Sequence, residues 1–289
     1  MEYTIRDGRA DDHEHIEEFT TNTFKWGDYV HDKWPEWLAS PGINLLVAAD
    51  SEDRPIGTSV CVMMSDTEAW LQGNRVHPDW RRIGVAGALA QEQRSWARDR
   101  GGYVLRLCIE SWNEAAHGQV LRDGYRPISE WIEGFGSVAK LTPSPSGNGG
   151  ARVRELESLS RGRTSDVQPA MMSWSSGELY RPARAMFTVD WKWRRLTEDD
   201  LVAAARQEAL WVGRTGWAIA ALDETTLEVA WFDTRPEDAP DFIRSLLDIA
   251  VDEKATDIKI MAPDLPWVRS AFEGIGLELA DMVVYGLTL

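Results

Sequence analysis

The fold of this chain is decided by Val76-His77-Pro78-Asp79-Trp80-Arg81-Arg82-Ile83-Gly84-Val85-Ala86-Gly87-Ala88-Leu89. This stretch follows a strand-like run, residues 68–76, and opens a helical pattern that continues to about residue 100. Small residues at Gly84 and Ala86 let the backbone approach a ligand closely, and the N–H groups of a helix N-terminus attract anions. The two adjacent arginines add positive charge and hydrogen-bond donors. The pattern therefore predicts a diphosphate-binding turn between a strand and a helix.

Apolar patterns on both sides of this turn predict a mixed sheet with helices on its faces, and hence the α+β class. Toward the N-terminus we expect strands at residues 3–7, 43–50 and 56–64, and a helix over residues 10–19. Downstream we expect a strand at residues 103–109, a helix at 113–122 and a strand at 127–135. The predicted order is β-α-β-β-β-α-β-α-β.

The second half of the chain repeats this order after a short polar segment. Residues 142–150 (TPSPSGNGG) have the composition of a flexible linker, which divides the chain into predicted domains 1–141 and 151–289. Strands are expected at residues 217–222, 227–232, 258–261 and 282–287, and helices at 236–253 and 265–274. Residues 191–200 also parallel residues 3–12, so we expect an internal duplication.

Charge and hydropathy limit the partners of the protein. The chain of 289 residues has 31 basic and 47 acidic side chains and a net charge of −16. Nucleic acid is excluded as a major partner because phosphate binding needs clustered Lys and Arg, whereas cationic or neutral substrates are favoured. No apolar run approaches the roughly 20 residues that span a bilayer. Residues 1–7 lack the pattern of a secretion signal, so we expect a cytoplasmic protein without a membrane partner. The sequence does not decide whether the protein forms a homodimer.

Cysteine and histidine usage points away from disulfide and metal chemistry. Cys61 and Cys108 lie in separate strand-like runs, and free buried thiols are the simplest interpretation unless those strands are neighbours. His13 and His15 lie in an acidic helix start and lack companions at metal-ligand spacing. We therefore predict no metal site.

The turn resembles the GNAT superfamily of acetyl-CoA-dependent N-acetyltransferases, whose pattern is Val-x-x-x-x-Arg-x-x-Gly-x-Gly/Ala. Asn113-Glu114-Ala115-Ala116 and Gly124-Tyr125 resemble the family's Asn-x-x-Ala helix and closing Gly-aromatic pair. The resemblance covers residues 3–135 and implies acetyl-CoA as cosubstrate, with its pantetheine arm between strands 68–76 and 103–109. The resemblance implies CoA contacts for Val76, Arg81, Arg82, Ile83, Gly84, Val85, Ala86 and Asn113.

The implied reaction is direct attack of an amine on the thioester, with a strand amide near Val76 polarising the carbonyl. A base must take a proton from the ammonium group, and an acid can protonate the departing thiolate. The family often places a tyrosine acid seven residues after the Asn, but this chain has Val120 there. Glu110 is the preferred base, since it lies where the two central strands are expected to separate. Glu68 and His77 are the alternatives.

The strand itself resembles a Trp-Leu-Glu-Gly-Leu-Arg-Val-x-Pro version found in some GNAT proteins that act on amino acids, with Gln72 in place of the Glu. We therefore predict an N-acetyltransferase acting on the primary amine of a small molecule or amino acid. A peptide or protein N-acetyltransferase is one alternative. A non-catalytic acyl-CoA-binding sensor is another, favoured by Gln72 and Val120.

The sequence also predicts where the tryptophans lie and whether the second half binds CoA. Most of the 15 tryptophans are expected in cores, with Trp26 and Trp34 the best candidates for a substrate cleft. In the second half, the segment after the equivalent strand, residues 234–241, has no glycine, two prolines and three acidic residues. Prolines lack N–H donors, and acidic side chains repel phosphate. The second half is thus predicted to be a degenerate GNAT-like domain that has lost CoA binding.

Overall fold

The computed structural model of the protein describes residues 2–24, 27–141 and 158–289. The chain divides into two compact units. Unit 1 comprises Met1–Cys108, His117–Arg126 and Tyr285–Leu289, and unit 2 comprises Ile109–Ala116 and Pro127–Val284. The domain boundaries predicted at residues 141 and 151 stay a prediction, and the predicted linker, residues 142–150, lies outside the described residues.

The first half of the chain contains the elements that the sequence predicts, and one more helix. Its strands are β1 (Thr4–Asp7), β2 (Ile43–Ala49), β3 (Pro55–Met63), β4 (Glu68–Val76), β5 (Val104–Glu110) and β6 (Arg126–Ser137). Its helices are α1 (His13–Thr20), α2 (Val30–Ala39), α3 (Val85–Asp99) and α4 (Glu114–Arg122). The division between the units passes through β5 and α4.

The second half contains a similar series. Its strands are β7 (Ser160–Arg161), β8 (Met186–Val189), β9 (Lys192–Arg195), β10 (Leu210–Val212), β11 (Gly216–Asp223), β12 (Thr226–Thr234), β13 (Asp257–Pro263) and β14 (Glu278–Thr288). Its helices are α5 (Val167–Ser176), α6 (Glu198–Arg206), α7 (Ala239–Asp252) and α8 (Pro266–Ile275). Helix α7 begins three residues later than the sequence predicts.

The sheet of unit 1 is mixed. Strands β1, β2, β3 and β4 are successive antiparallel neighbours, and β4 pairs with β5 in parallel. The end of β14 lies beside β5, where the N–H of Leu289 donates to the carbonyl of Tyr103 over 2.9 Å. The crossover between parallel β4 and β5 is helix α3, as the strand–turn–helix pattern predicts.

Alternating side chains of β2 build a core on each face of this sheet. Leu45 and Val47 pack on one face with Ile16 of α1 and Trp34 of α2. Leu46 and Ala48 pack on the other face with Val85 and Leu89 of α3. Each fully buried aliphatic side chain of this kind contributes roughly 1.5–3 kcal/mol. Helix α3 is thereby held with its N-terminus beside the end of β4.

Helix α2 is absent from the sequence-based expectation because Pro35 interrupts its pattern. It forms because Val30, Trp34 and Trp37 fall on one face and are buried. Trp34 is fully buried, and its indole N–H donates to the carbonyl of Arg9 over 3.0 Å. The interpretation of Trp34 as a cleft residue is therefore wrong, and Trp26 lies outside the described residues.

Unit 2 has the same strand order. Strands β7, β10, β11 and β12 are successive antiparallel neighbours, and β12 pairs with β13 in parallel. Strand β6 pairs with β13 in antiparallel register, with Glu133 opposite Met261. The order of directions thus repeats that of β1, β2, β3, β4 and β5, which is consistent with a duplicated fold.

The predicted equivalence of residues 191–200 with residues 3–12 is not supported by the topology. Strand β9 pairs with β8 in a separate two-stranded sheet, and the position of β1 is taken in unit 2 by β7. The local likeness is nevertheless real. Asp12 accepts a hydrogen bond from Arg6 over 2.8 Å, and Asp200 accepts one from Arg194 over 2.8 Å, both at six-residue spacing.

Cys61 and Cys108 are free thiols on β3 and β5, strands that β4 separates. Burial raises the pKa of the Cys61 thiol to about 12, which removes it as a thiolate nucleophile at neutral pH. In the described part of the chain, no helix is long and apolar enough to span a bilayer. No group of three or more potential metal ligands occurs among the described residues.

Candidate functional site

The turn between β4 and α3 has an unusual backbone. After the short 3-10 turn Pro78–Trp80, Arg82 adopts φ 66° and Gly84 adopts φ 95°. The left-handed region suits glycine but costs a residue with a Cβ about 1–2 kcal/mol. Gly84 is also the N-cap of α3, so the strand-to-helix reversal depends on these two residues.

The reversal leaves backbone donors at the start of α3. The first helical bond runs from the N–H of Ala88 to the carbonyl of Gly84, so the N–H groups of Val85, Ala86 and Gly87 precede the ladder. A Cβ on Gly84 would meet a single atom within 4 Å, the Tyr3 hydroxyl oxygen at 3.9 Å. Open space and unbonded amides at the positive end of the helix dipole fit an anion.

Two arginines add charge at this turn. Arg81 and Arg82 are exposed, and Arg81 donates from Nε to the carbonyl of Val76 over 3.2 Å. That bond ties the turn to the end of β4, and a guanidinium group has four further N–H donors. The donor set suits a diphosphate, which the residues Val76 and Arg81 through Ala86 would hold.

A gap opens between β4 and β5 next to this turn. The parallel pairing covers Glu68 to Trp70 against Val104 to Arg106, whereas β4 continues to Val76. In the unpaired part, β4 carries a bulge against β3, where Gly73 adopts φ 61°. A bulge bends its strand, so β4 turns away from β5 and exposes a free strand edge.

The outer part of β4 is held by the segment before α2. Asp28 is buried and accepts two hydrogen bonds from Arg75, over 2.5 and 3.1 Å. The Tyr29 hydroxyl accepts the N–H of Gly73 over 3.3 Å, and burial raises the pKa of this phenol. These contacts stabilise the bulge, and sequence analysis missed them because the partners are more than 40 residues apart.

Glu68, an alternative base, lies in the paired part of β4. Its carboxylate accepts a hydrogen bond from Arg106 over 2.5 Å, and both side chains are buried. The pair cross-links β4 to β5 at the level where the gap begins. Glu68 therefore has a structural partner, and its role as a base stays a prediction.

Glu110 and Asn113 belong to unit 2. The N–H of Asn113 donates to the carbonyl of Glu110 over 2.9 Å, and the Asn113 side chain accepts the N–H of Ala116 over 3.2 Å. Asn113 thus caps the start of α4. The CoA contact of Asn113 and the base role of Glu110 stay predictions. His77, the other alternative base, accepts the Asp79 N–H at Nδ1 over 3.2 Å.

Sequence analysis did not anticipate the surroundings of two titratable groups. In unit 2, burial and the charge of Glu228 and Glu110 raise the pKa of Glu133 to about 7, against the lowering effect of Lys259. In unit 1, His117 of α4 lies 2.8 Å from the hydroxyl of Tyr285 on β14. Neither could be found from spacing, because β6 and β14 are placed by the tertiary fold.

The equivalent turn of unit 2 is different. Strand β12 pairs with β13 only as far as Val229 and carries an irregularity against β11, so a second gap of the same kind is present. The following turn, residues 235–238, contains no left-handed residue, and α7 starts with an aspartate N-cap and Pro240 in its first turn. The backbone reversal that exposes amides in unit 1 is not repeated here.

The turn and the gap lie in a segment that is similar to a known protein family. Residues 12–124 match the family model "Acetyltransferase (GNAT) family". A GCN5-related N-acetyltransferase from Sphaerobacter thermophilus superposes with a TM-score of 0.70 at 10% identity, covering 99% of this chain and 95% of that one. A tandem GNAT protein from the clavulanic acid biosynthesis pathway superposes with a TM-score of 0.56 at 15% identity, covering 99% and 98%.

A glucosamine N-acetyltransferase region of a fungal multi-domain protein has a TM-score of 0.69 at 12% identity, covering 99% of this chain and 38% of that one. None of the curated protein sequences matches the chain. At these identities the solved structures support the fold alone, while the family model covers the β4 turn and gap. Residues 12–124 therefore match the GNAT acetyltransferase family, and the whole chain is similar in fold to solved GNAT proteins.

Proposed function

We propose that this protein transfers an acetyl group from acetyl-CoA to the primary amine of a small molecule or amino acid.

 The carrying observation is the turn after β4, where left-handed Arg82 and Gly84 turn the first amides of α3 outward beside the gap between β4 and β5. Anion-binding amides at one end of a free strand edge suit an extended ligand with a diphosphate at one end.

Different parts of β4 and the following turn would bind different parts of acetyl-CoA. The turn from Arg81 to Ala86 would hold the diphosphate by amides and charge, and the free edge of β4 would hydrogen-bond the amides of the pantetheine arm. Acetyl-CoA supplies the activated thioester. The amine nitrogen attacks the carbonyl carbon, the C–N bond forms, and the C–S bond breaks. A backbone amide of β4 beside the thioester would stabilise the developing oxyanion.

The acceptor is proposed to be cationic or neutral before deprotonation. The excess of 47 acidic over 31 basic side chains favours approach of an ammonium group and disfavours anionic acceptors. A base must then remove one proton from that ammonium, and the solvent receives it in the end. Glu110 is the candidate that we retain for this step.

The test is release of free thiol from acetyl-CoA in the presence of single amines. The panel comprises amino acids, amino sugars, polyamines and short peptides, and calorimetry measures acetyl-CoA binding in parallel. Turnover with a small amine supports the proposal, and turnover with peptides alone supports a peptide or protein N-acetyltransferase. Binding without turnover on any amine supports an acyl-CoA sensor. Absence of acetyl-CoA binding would overturn all three.

A further inference from the structure

A tyrosine from the last strand of the chain lies in unit 1 beside α4. Tyr285 is 4% exposed, and its hydroxyl lies 2.8 Å from Nδ1 of His117, which is 168 residues away in sequence. The two rings are tilted by 46° with centroids 5.7 Å apart. A buried phenol that contacts a half-buried imidazole can act as a proton-transfer pair.

The position of Tyr285 along the sheet follows from the end of the chain. Leu289 bonds to Tyr103, just before β5 begins, and β14 lies next to β5, so β14 runs antiparallel to it. In an antiparallel pair, the residue four positions before Leu289 lies opposite the residue four positions after Tyr103. Tyr285 therefore lies level with Leu107, one residue beyond Arg106, where the pairing of β5 with β4 stops.

The gap and the turn fix where a thiol would lie. From Val76, beside the anion-binding turn, to Trp70, where pairing with β5 resumes, is six residues, or about 20 Å at the usual rise of a strand. An extended pantetheine arm has a comparable length. A ligand whose diphosphate occupies the turn therefore carries its sulfur toward the closed end of the gap, the level of Tyr285.

We propose that Tyr285, oriented by His117, donates the hydrogen bond and then the proton that the departing CoA thiolate receives. This inference rests on the proposed acetyl transfer. When the C–S bond breaks, the electron pair stays on sulfur, and the Tyr285 O–H supplies the proton. The phenolate recovers a proton through Nδ1 of His117, and water replaces it.

The acidities explain why two residues are needed. Burial raises the pKa of the Tyr285 phenol, so it stays protonated at neutral pH. A phenol is a weaker acid than a thiol, whose ordinary pKa is about 8.5. Full transfer to sulfur is therefore unfavourable unless the phenolate is reprotonated, which is the role of His117. Val120, on the same helix, carries no proton to donate.

The experiment uses Tyr285→Phe in the full chain, with Tyr103→Phe as the matched control because Tyr103 is 67% exposed. The first readout needs no amine: the ultraviolet absorbance of bound CoA thiolate is followed against pH. A hydrogen bond to the thiolate lowers the pKa of the bound thiol, so Tyr285→Phe should raise it by about one unit. Tyr103→Phe should leave it unchanged.

The second readout is turnover with an accepted amine. Loss of a general acid should lower kcat about 100-fold with little change in KM for acetyl-CoA. His117→Gln, whose side-chain amide can donate a hydrogen bond to the Tyr285 oxygen, should retain more activity than His117→Ala. A folded Tyr285→Phe protein with unchanged bound-thiol pKa and unchanged kcat would overturn the proposal.

The two proposals fail in different ways. If the wild type binds CoA but acetylates no amine, the proposed function fails, while the thiol titration still tests the contact of Tyr285 with sulfur. If Tyr285→Phe loses acetyl-CoA affinity and thermal stability together, with the pKa of the bound thiol unchanged, Tyr285 has only a structural role and the inference is wrong.

Discussion

At the scale of single residues, the site depends on backbone conformation more than on side-chain chemistry. Arg82 retains a left-handed φ although it carries a Cβ, and Gly84 repeats that conformation two residues later. Such strain is found where the surrounding structure enforces it, and it clusters at ligand sites. Here it occurs directly before the amides of Val85, Ala86 and Gly87 that precede the helical ladder.

Gly84→Glu should abolish acetyl-CoA binding. The new carboxylate enters the open space in front of the amides and repels the diphosphate, and calorimetry should find no heat of binding. Gly42→Glu is the matched control, since a Cβ on Gly42 meets no atom within 4 Å. Circular dichroism must show that Gly84→Glu is folded, because its left-handed φ adds about 1–2 kcal/mol of strain. Retained micromolar affinity in that folded protein would contradict the assignment of the turn.

Glu110→Gln should slow the chemical step, most visibly at lower pH, if Glu110 accepts the ammonium proton. The amide cannot take up a proton, so the acidic limb of the pH–rate profile should change. Glu114→Gln, at the exposed start of α4, is the control. An unchanged profile would remove Glu110 from the mechanism.

At the scale of elements, the gap arises from how far β4 and β5 pair. Pairing ends at Trp70 and Arg106, where the buried Glu68–Arg106 ion pair joins the strands. Beyond that level, the bulge at Gly73 is held by Tyr29, and Arg75 is held by Asp28. The Glu68–Arg106 pair thus stabilises the paired part of β4, and the Asp28–Arg75 pair stabilises the part that diverges from β5.

Glu68→Gln should lower the free energy of unfolding by about 3 kcal/mol, since it leaves the buried Arg106 guanidinium without a charged partner. Glu36→Gln breaks the exposed pair with Lys33 and should cost less than about 1 kcal/mol. Denaturant titration measures both. Full stability with loss of turnover in Glu68→Gln would instead identify Glu68 as the base.

At the scale of the whole molecule, the strand order of one unit repeats in the other, but the turn proposed to bind the diphosphate does not. After β12 the chain reaches α7 through Pro236 and Asp238, and Asp241 lies in the first helical turn. Acidic side chains there stabilise the helix dipole and repel phosphate. Unit 2 therefore keeps the fold while its helix start offers no anion site.

Calorimetry should accordingly find one acetyl-CoA per chain. The single site should disappear in Gly84→Glu, because the remaining turn at residues 235–238 lacks left-handed residues that would expose amides. Two sites per wild-type chain, or one site that survives in Gly84→Glu, would show that the second turn binds CoA after all.

The sequence by itself determined the elements around the turn and the identity of its residues. The bounds of β4 and α3 follow from local periodicity, glycine placement and the helix start, all of which act within one or two turns of chain. For the same reason the Arg81–Ala86 segment could be predicted to bind an anion before any contact was known. That prediction needs only local structure, because amides at a helix N-terminus require no distant partner.

Only the tertiary structure decided which distant groups meet. Helix α2 forms around Pro35 because Trp34 is buried in the core, and β7, not β9, pairs with β10 at the edge of the main sheet. The Asp28–Arg75 and His117–Tyr285 contacts join residues 47 and 168 positions apart. Such pairs depend on sheet order and strand register. These are set by the burial of whole sheet faces, which a local sequence pattern cannot predict.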